Sequence, residues 1–270
     1  MYFRLTNKTL TILLAVASIA FVSCKKDRSP GNPGDPGGQT KRISRIEQNG
    51  NISASFTYNA DGTLKTISTA FTDHTVNFAF SYNAQKKVTE FASDEGYKSK
   101  YVYINNVLDR TENYEDGQKI SENIFTYENN RIKSNTLFTA FPQGNGNILY
   151  KPTYRAVYSY YGNGNVQRVA TYTIDPVTDE VEPEFIYMYQ QYDGKKNPLA
   201  VISDFSQILL YQPIHINNPL LEEMLDGNGT LLESTGHVYT YDAAGYPVTA
   251  KSTITPVGGT PTVIDIKYFY

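Results

Sequence analysis

The stretch Phe56-Thr57-Tyr58-Asn59-Ala60-Asp61-Gly62-Thr63-Leu64-Lys65-Thr66-Ile67 decides how this sequence folds. Phe56 and Tyr58 alternate with a polar residue, residues 59–62 carry turn chemistry, and Leu64 and Ile67 reopen an apolar pattern. Glycine accepts positive φ without steric cost, and Asn or Asp can bond the local backbone, so such a cluster reverses the chain. The stretch reads as strand, tight turn, strand. Weaker copies run to the C-terminus on the anchors Tyr58, Tyr82, Tyr103, Tyr127, Tyr160, Tyr192 and Tyr241, the first four recurring every 21 to 24 residues. Gly62 and Gly245 close the two clearest turns, and Asp116-Gly117, Gly144-Asn145-Gly146 and Asp226-Gly227-Asn228-Gly229 suit the opposite hairpin ends. One β-hairpin per unit fits this spacing.

Outward from that unit, period-two runs dominate. Val76, Phe78, Phe80 and Tyr82 alternate with Asn77, Ala79 and Ser81; so do Tyr97, Ser99, Tyr101 and Tyr103 with their neighbours. Tyr150, Pro152, Tyr154, Ala156, Tyr158 and Tyr160 read as a third single face, and Ile264, Ile266, Tyr268 and Tyr270 as a fourth. Such alternation means antiparallel strands covering a core on one side. The expected fold is all-β: an antiparallel meander of hairpin repeats over 41–270, curved or closed into a barrel-like sheet, because a long meander must protect its edges. Residues 198–211 partly fit a short helix, centred on 200–211. Asn218-Pro219 could start another, but the strong turn at 226–229 favours a hairpin there.

Composition narrows the function classes. A net charge of −3 over 270 residues gives no electrostatic case for nucleic acid. Tyr (23) and Phe (13) are plentiful and Trp is absent, as suits a β protein more than a glycan-stacking site. Arg4 and Lys8 precede an apolar run over 10–22, too short for a comfortable span and right for a signal h-region. It ends in Phe21-Val22-Ser23-Cys24, which looks like a lipobox and implies lipidation of Cys24, the only cysteine. Residues 1–23 are then a signal peptide. Residues 24–40, rich in Pro and Gly, are a flexible tether, whose end-to-end distance is roughly 20–25 Å.

The Tyr-Asx-x-x-Gly unit resembles the tyrosine–aspartate repeats of large cell-surface proteins. Tyr192-Asp193-Gly194-Lys195-Lys196-Asn197-Pro198, Asn217-Asn218-Pro219 and Tyr239-Thr240-Tyr241-Asp242-Ala243-Ala244-Gly245-Tyr246-Pro247 carry a sharper likeness. Together they resemble small Bacteroidota lipoproteins built on a repeat domain of unknown function, porin-like in fold. That resemblance covers about 41–270 and implies a curved or closed antiparallel sheet on an envelope lipoprotein. It brings no catalytic or binding residues. The closing aromatic pattern to Tyr270 also looks like that of an outer-membrane barrel, but outward positions filled by Asn, Ser, Thr, Lys and Glu do not suit lipid.

Catalytic motifs are lacking. His74, His215 and His237 are far apart in sequence and have no metal-ligand spacing; no nucleophile elbow, zinc helix or phosphate loop occurs. Asp175, Asp179, Glu180, Glu182 and Glu184 supply cation-ligand types without a defined spacing, and Asp226-Gly227-Asn228-Gly229-Thr230 is explained by a hairpin turn. The reading is therefore non-enzymatic, without cofactor or metal: an outer-membrane lipoprotein, periplasm-facing in preference to surface-exposed because no acidic run follows Cys24. It would bind a glycan, a peptide or a partner envelope protein. A carrier holding a lipophilic ligand inside the barrel is the alternative, and a carboxylate hydrolase a third.

Overall fold

The computed structural model describes residues 41–144, 146–199 and 215–270. The expected signal peptide, tether and 200–211 helix lie outside them. Sixteen strands form one closed antiparallel barrel in chain order. They are β1 Arg45–Gln48, β2 Asn51–Tyr58, β3 Leu64–Ala70, β4 Thr75–Tyr82, β5 Val88–Ser93, β6 Tyr97–Ile104, β7 Val107–Glu115 and β8 Gln118–Glu128. The second half comprises β9 Arg131–Pro142, β10 Ile148–Tyr160, β11 Val166–Ile174, β12 Val181–Lys196, β13 Asn217–Asp226, β14 Leu231–Tyr241, β15 Pro247–Pro256 and β16 Thr262–Phe269. Closure comes from β1 against β16, with Arg45 opposite Phe269 and Gln48 opposite Ile266. No edge is left to template another chain. The hairpin at 226–229 forms as expected, between β13 and β14.

The inner face is the apolar one. Ile46, Ala54, Phe56, Ile67, Val76, Phe78, Val88, Phe91 and Tyr101 are buried together, and Ala156, Val166, Val169 and Tyr189 form a second cluster. Sixteen strands at about 4.8 Å spacing make a circumference of about 75 Å, or about 25 Å across if round. Two facing layers of side chains span only about 10 Å. Yet Val76 and Phe78 are 0% and 1% exposed, so the lumen is closed to solvent beside them. Leu199, just past β12, belongs to that same cluster, so the chain turns inward there.

The outer wall is polar. Glu90, Lys100, Glu112 and Glu122 lie opposite one another across β5 to β8. Ser68 hydrogen-bonds Asn77, and Thr126 Ser134, along the exposed face. Lys251 and Asp265 pair across β15 and β16. A charged residue on a lipid-facing strand costs about 2–4 kcal/mol at the bilayer midplane for Arg or Lys. Charges at mid-strand on β5 to β8 and on β15 and β16 leave no lipid-facing band along those strands. One expected face is corrected: a β-bulge between Pro152 and Tyr154 breaks the alternation of β10. Tyr150 and Pro152 turn outward opposite Ala140 and Phe138, while Tyr154 to Tyr160 keep the inner face.

The Tyr anchors close the ladder at one end. At each of Tyr58, Tyr82, Tyr103, Tyr127, Tyr160, Tyr192 and Tyr241, pairing with the following strand shifts by a bulge. Bulges re-aim side chains, and here each ring swings back across the preceding strand. The hydroxyls of Tyr58, Tyr103, Tyr127, Tyr160 and Tyr192 donate to the carbonyls of Ile43, Val88, Leu108, Ile132 and Val166 at 2.5–2.9 Å. Tyr270 does the same to Pro247 at 2.8 Å. Every one of these carbonyls lies two residues before the last rung its strand makes with the tyrosine's own strand. The hydroxyl replaces the rung the ladder omits, since buried backbone acceptors need partners. Tyr241 departs from the pattern and bonds Asp193 instead.

The intervening turns depend on positive φ: Gly62 sits at 87° and Gly245 at 79°. A β-carbon on Gly62 would also meet the Arg42 guanidinium. Gly62→Val should therefore cost about 1–2 kcal/mol; an unchanged melting temperature would remove this turn from the account. Tyr127→Phe keeps the ring and orphans the Leu108 carbonyl, so urea melts should show a loss of about 1–2 kcal/mol. A neutral outcome would mean that the ring alone matters.

Candidate functional site

The two barrel ends differ in charge. The turns after the odd-numbered strands (49–50, 71–74, 94–96, 116–117, 143–147, 175–180, 227–230 and 257–261) contain Asp73, Asp94, Glu95, Asp116, Asp175, Asp179 and Glu180 and not one Lys or Arg. The tyrosine end carries Lys41, Arg42, Lys86, Lys87, Arg131, Lys133, Lys195 and Lys196 in or beside its turns; beside the acidic-end turns stand Lys98 and Lys119, and Lys151 reaches the Pro176 carbonyl. Several of these cations sit over rim tyrosines: Arg42 over Tyr58 at 5.5 Å, Lys87 over Tyr103 at 5.1 Å, Arg131 over Tyr160 at 5.4 Å and Lys196 over Tyr246 at 4.8 Å. Ring faces attract cations, so the tyrosines that complete the ladder also collect positive charge. Asp61, Glu128 and Asp242 pair with Lys86, Lys133 and Lys41 and offset part of it.

The acidic turns use their carboxylates for backbone geometry. Asp175 Oδ1 accepts from the amides of Val177 and Thr178, which holds its carboxyl below the usual range. Asp226 Oδ1 accepts from Asn228 and Thr230 in the same way. The hairpin reading of 226–230 therefore stands on observed bonds. Glu184 faces Thr171 through the β11–β12 bulge, and burial raises its carboxyl.

Inside the second half of the barrel, two of the three histidines come onto one wall, which their sequence distance did not reveal. His215 is wholly buried; its ring lies 4.3 Å from that of Tyr189, and Nδ1 is 2.6 Å from the Tyr192 hydroxyl. Because that hydroxyl donates to Val166, Nδ1–H is the donor to Tyr192 and Nε2 is left as an acceptor with no hydrogen bond among the described residues. Burial, followed by the nearby His237, lowers the His215 pKa to about 3. His237 bonds Ser252 through Nδ1 at 2.8 Å and has Glu222 3.3 Å from Nε2. Among the described residues no group of three His, Cys, Asp or Glu is placed to hold a metal. His74 is separate, stacked on Phe71 in an acidic-end turn.

Segments that carry the sequence likeness meet at the tyrosine end. Asp193 accepts from Asn218 and from Tyr241, and Asn217 donates to the Lys195 carbonyl at 2.9 Å. Beside them Asn197, Pro198 and Leu199 line a cavity with Ile46, Gln48 and Tyr268, of about 30 Å³. That is room for a water or two, far from the 300 Å³ or more of a ligand pocket.

No protein-family model matches the chain, and no curated relative matches its sequence. Its likeness to solved structures is one of fold. A porin-like protein from Bacteroides uniformis superposes with a TM-score of 0.51 at 12% identity, over 84% of this chain and 96% of that one. A second porin-like protein, from Bacteroides vulgatus, gives a TM-score of 0.45 at 13% identity, over 85% and 99%. Porin-like Bacteroidota proteins are thus what this barrel is similar to, as the sequence implied.

His215 supplies a pH signature. Its pKa falls from 6.5 in the open chain to about 3 in the barrel, so the unfolded state binds the extra proton between those values. Stability conferred by neutral His215 is complete above pH 6.5 and falls with pH below it, by about 1.4 kcal/mol per unit from this one group. Urea melts at pH 7 and pH 5 should differ by about 2 kcal/mol less in His215→Gln than in the parent protein. Parallel pH dependences would show that His215 takes its proton without unfolding.

Proposed function

We propose that the protein is an envelope lipoprotein, tethered through Cys24, whose barrel is a non-catalytic interaction module for a glycan, a peptide or a partner envelope protein. The apolar, buried inner face beside β1 to β8 supports this reading. Side chains close the interior beside Val76 and Phe78, and the cavity beside Asn197 has room for a water or two and not for a ligand of drug size. Recognition then falls to outer surfaces. One is distinctive: on β9 to β13 the outward positions Phe138, Val157, Ile186, Met188 and Leu225 are apolar, whereas β2 to β4 present Thr57, Ser68 and Asn77. A partly apolar strip on a polar wall suits a partner more than solvent.

The carrier alternative rests on the same aromatic inner faces. Native mass spectrometry on freshly purified protein separates the two: the bare polypeptide mass is expected, and a co-purifying lipophile would replace the module with a carrier. For the tether, cells fed an alkyne fatty acid should label the parent protein and not Cys24→Ser; label on the variant would rule Cys24 out. Protease added to intact cells should spare the barrel, as a periplasm-facing domain requires; cleavage before lysis would place it on the surface.

A further inference from the structure

We propose that the basic, tyrosine-rimmed end of the barrel is a membrane-contact surface, which lies on the anionic headgroups of the leaflet holding the anchor and turns the acidic end away. The proposal rests on the lipid-anchor reading above and adds an orientation to it. Three observations point the same way. First, eight Lys and Arg lie in or beside the turns of one end, while the turns of the other hold acids and no Lys or Arg, with only Lys98, Lys119 and Lys151 near them. The barrel therefore carries a dipole along its axis despite a net charge of only −3. Second, the chain enters at the basic end: Lys41 and Arg42 precede β1, and the Ile43 carbonyl accepts from Tyr58 in the rim. On the anchor reading only sixteen residues separate Cys24 from Lys41, so the anchor holds this end of the barrel, rather than the far one, toward the headgroups. Third, the cations are presented to solvent. Side chains of Lys86 and Lys133 are 58% and 52% exposed, and Lys195 and Lys196 stand at the end of β12 on a tyrosine-backed surface.

Asp61, Asp109, Glu128, Asp193 and Asp242 share that end, and four of them are engaged by Lys86, Arg110, Lys133 and Lys41. They reduce the surplus without reversing it, because Arg42, Lys87, Arg131, Lys195 and Lys196 add further charge. Each basic side chain near an anionic surface is worth about a fivefold gain in binding, and the attraction fades within a Debye length. The chemistry recognised is a dense array of phosphate monoanions, and a bilayer supplies it as a plane that a ring of cations can touch at several points.

The test uses the full-length chain carrying Cys24→Ser, so that no acyl chain contributes. Co-sedimentation with phosphatidylcholine vesicles, with and without phosphatidylglycerol, should show binding only to the anionic vesicles, lost at high salt and not displaced by millimolar inorganic phosphate. Adding Lys86→Gln, Lys133→Gln, Lys195→Gln and Lys196→Gln should weaken it about tenfold or more. Asp179→Asn with Glu180→Gln at the far end should leave it unchanged, and both variants should melt like the parent. Equal binding to neutral vesicles, no binding to anionic ones, or no loss in the lysine variant would overturn the proposal; displacement by free phosphate would show a small-anion site instead. Failure of Cys24 labelling alongside salt-sensitive vesicle binding would sink the anchor and leave this surface standing.

Discussion

The structure depends on a hydrogen bond that the β-ladder does not make. Near the tyrosine end, the last rungs are pairs such as Arg45–Ser55 or Glu90–Lys100, and the carbonyl two residues beyond accepts from a tyrosine hydroxyl. A buried orphan carbonyl costs about 1–3 kcal/mol, and repeated hairpins multiply that cost. One residue type meets the demand from a strand away: a ring long enough to cross the gap and apolar enough to fill it, with a hydroxyl at its tip. The bulge before each tyrosine is the second half of the device, since without it the side chain would follow the alternation rather than lean back across its neighbour. Burial pushes the Tyr127 phenol up to about 12 and those of Tyr58 and Tyr270 upward too, so each stays a donor at ordinary pH.

From that device follows an interior unlike a pore's. Rings hung inward from alternate strands begin to fill a lumen too wide for aliphatic side chains alone. Phe78, Phe80 and Phe91 pack against one another next to them, with centroids 5.0–5.4 Å apart. Where the inner face is polar it is bonded laterally, as in Ser99 to Asn113 and Asn113 to Ser121. A porin arranges the two faces in the opposite sense, apolar to the lipid and polar to the channel. The likeness to porin-like folds is therefore one of strand path, while along β1 to β8 the described residues set the apolar face inward and the polar one outward.

Much of this was legible beforehand because its signals are local. Strand alternation and turn residues act within a dozen residues and the tyrosines recur at a readable spacing, and the hairpin at 226–229 outweighed the capping signal at Asn218-Pro219 for the same reason. What escaped depended on distance or on one irregular residue. Closure itself was expected from the need to protect edges; what nothing in either strand names is the pairing of β1 with β16, which joins residues more than two hundred apart. The bulge at Thr153 turns Tyr150 outward although six residues of unbroken alternation put it inside. His215 and His237 share a wall only because β13 and β14 return together. The rim polarity was partly within reach: sorting the turns by parity puts every turn Lys at one end, although Asp61 and Asp242 share it.

That sorting bears on function because folding does not require it. Asp175 and Asp226 close their turns by accepting amide protons, and Asn83 and Asn163 do the same work at the basic end without charge. Asn could therefore have served at either end. Cation–π contact explains why some bases favour the tyrosine rim, at roughly 0.5–1 kcal/mol each when exposed. It does not explain why the opposite turns hold no base at all, where a few Lys would relieve repulsion among neighbouring acids. A charge asymmetry that the fold neither needs nor favours is best understood through what lies outside the barrel, and a surface that attracts one end repels the other by the same field.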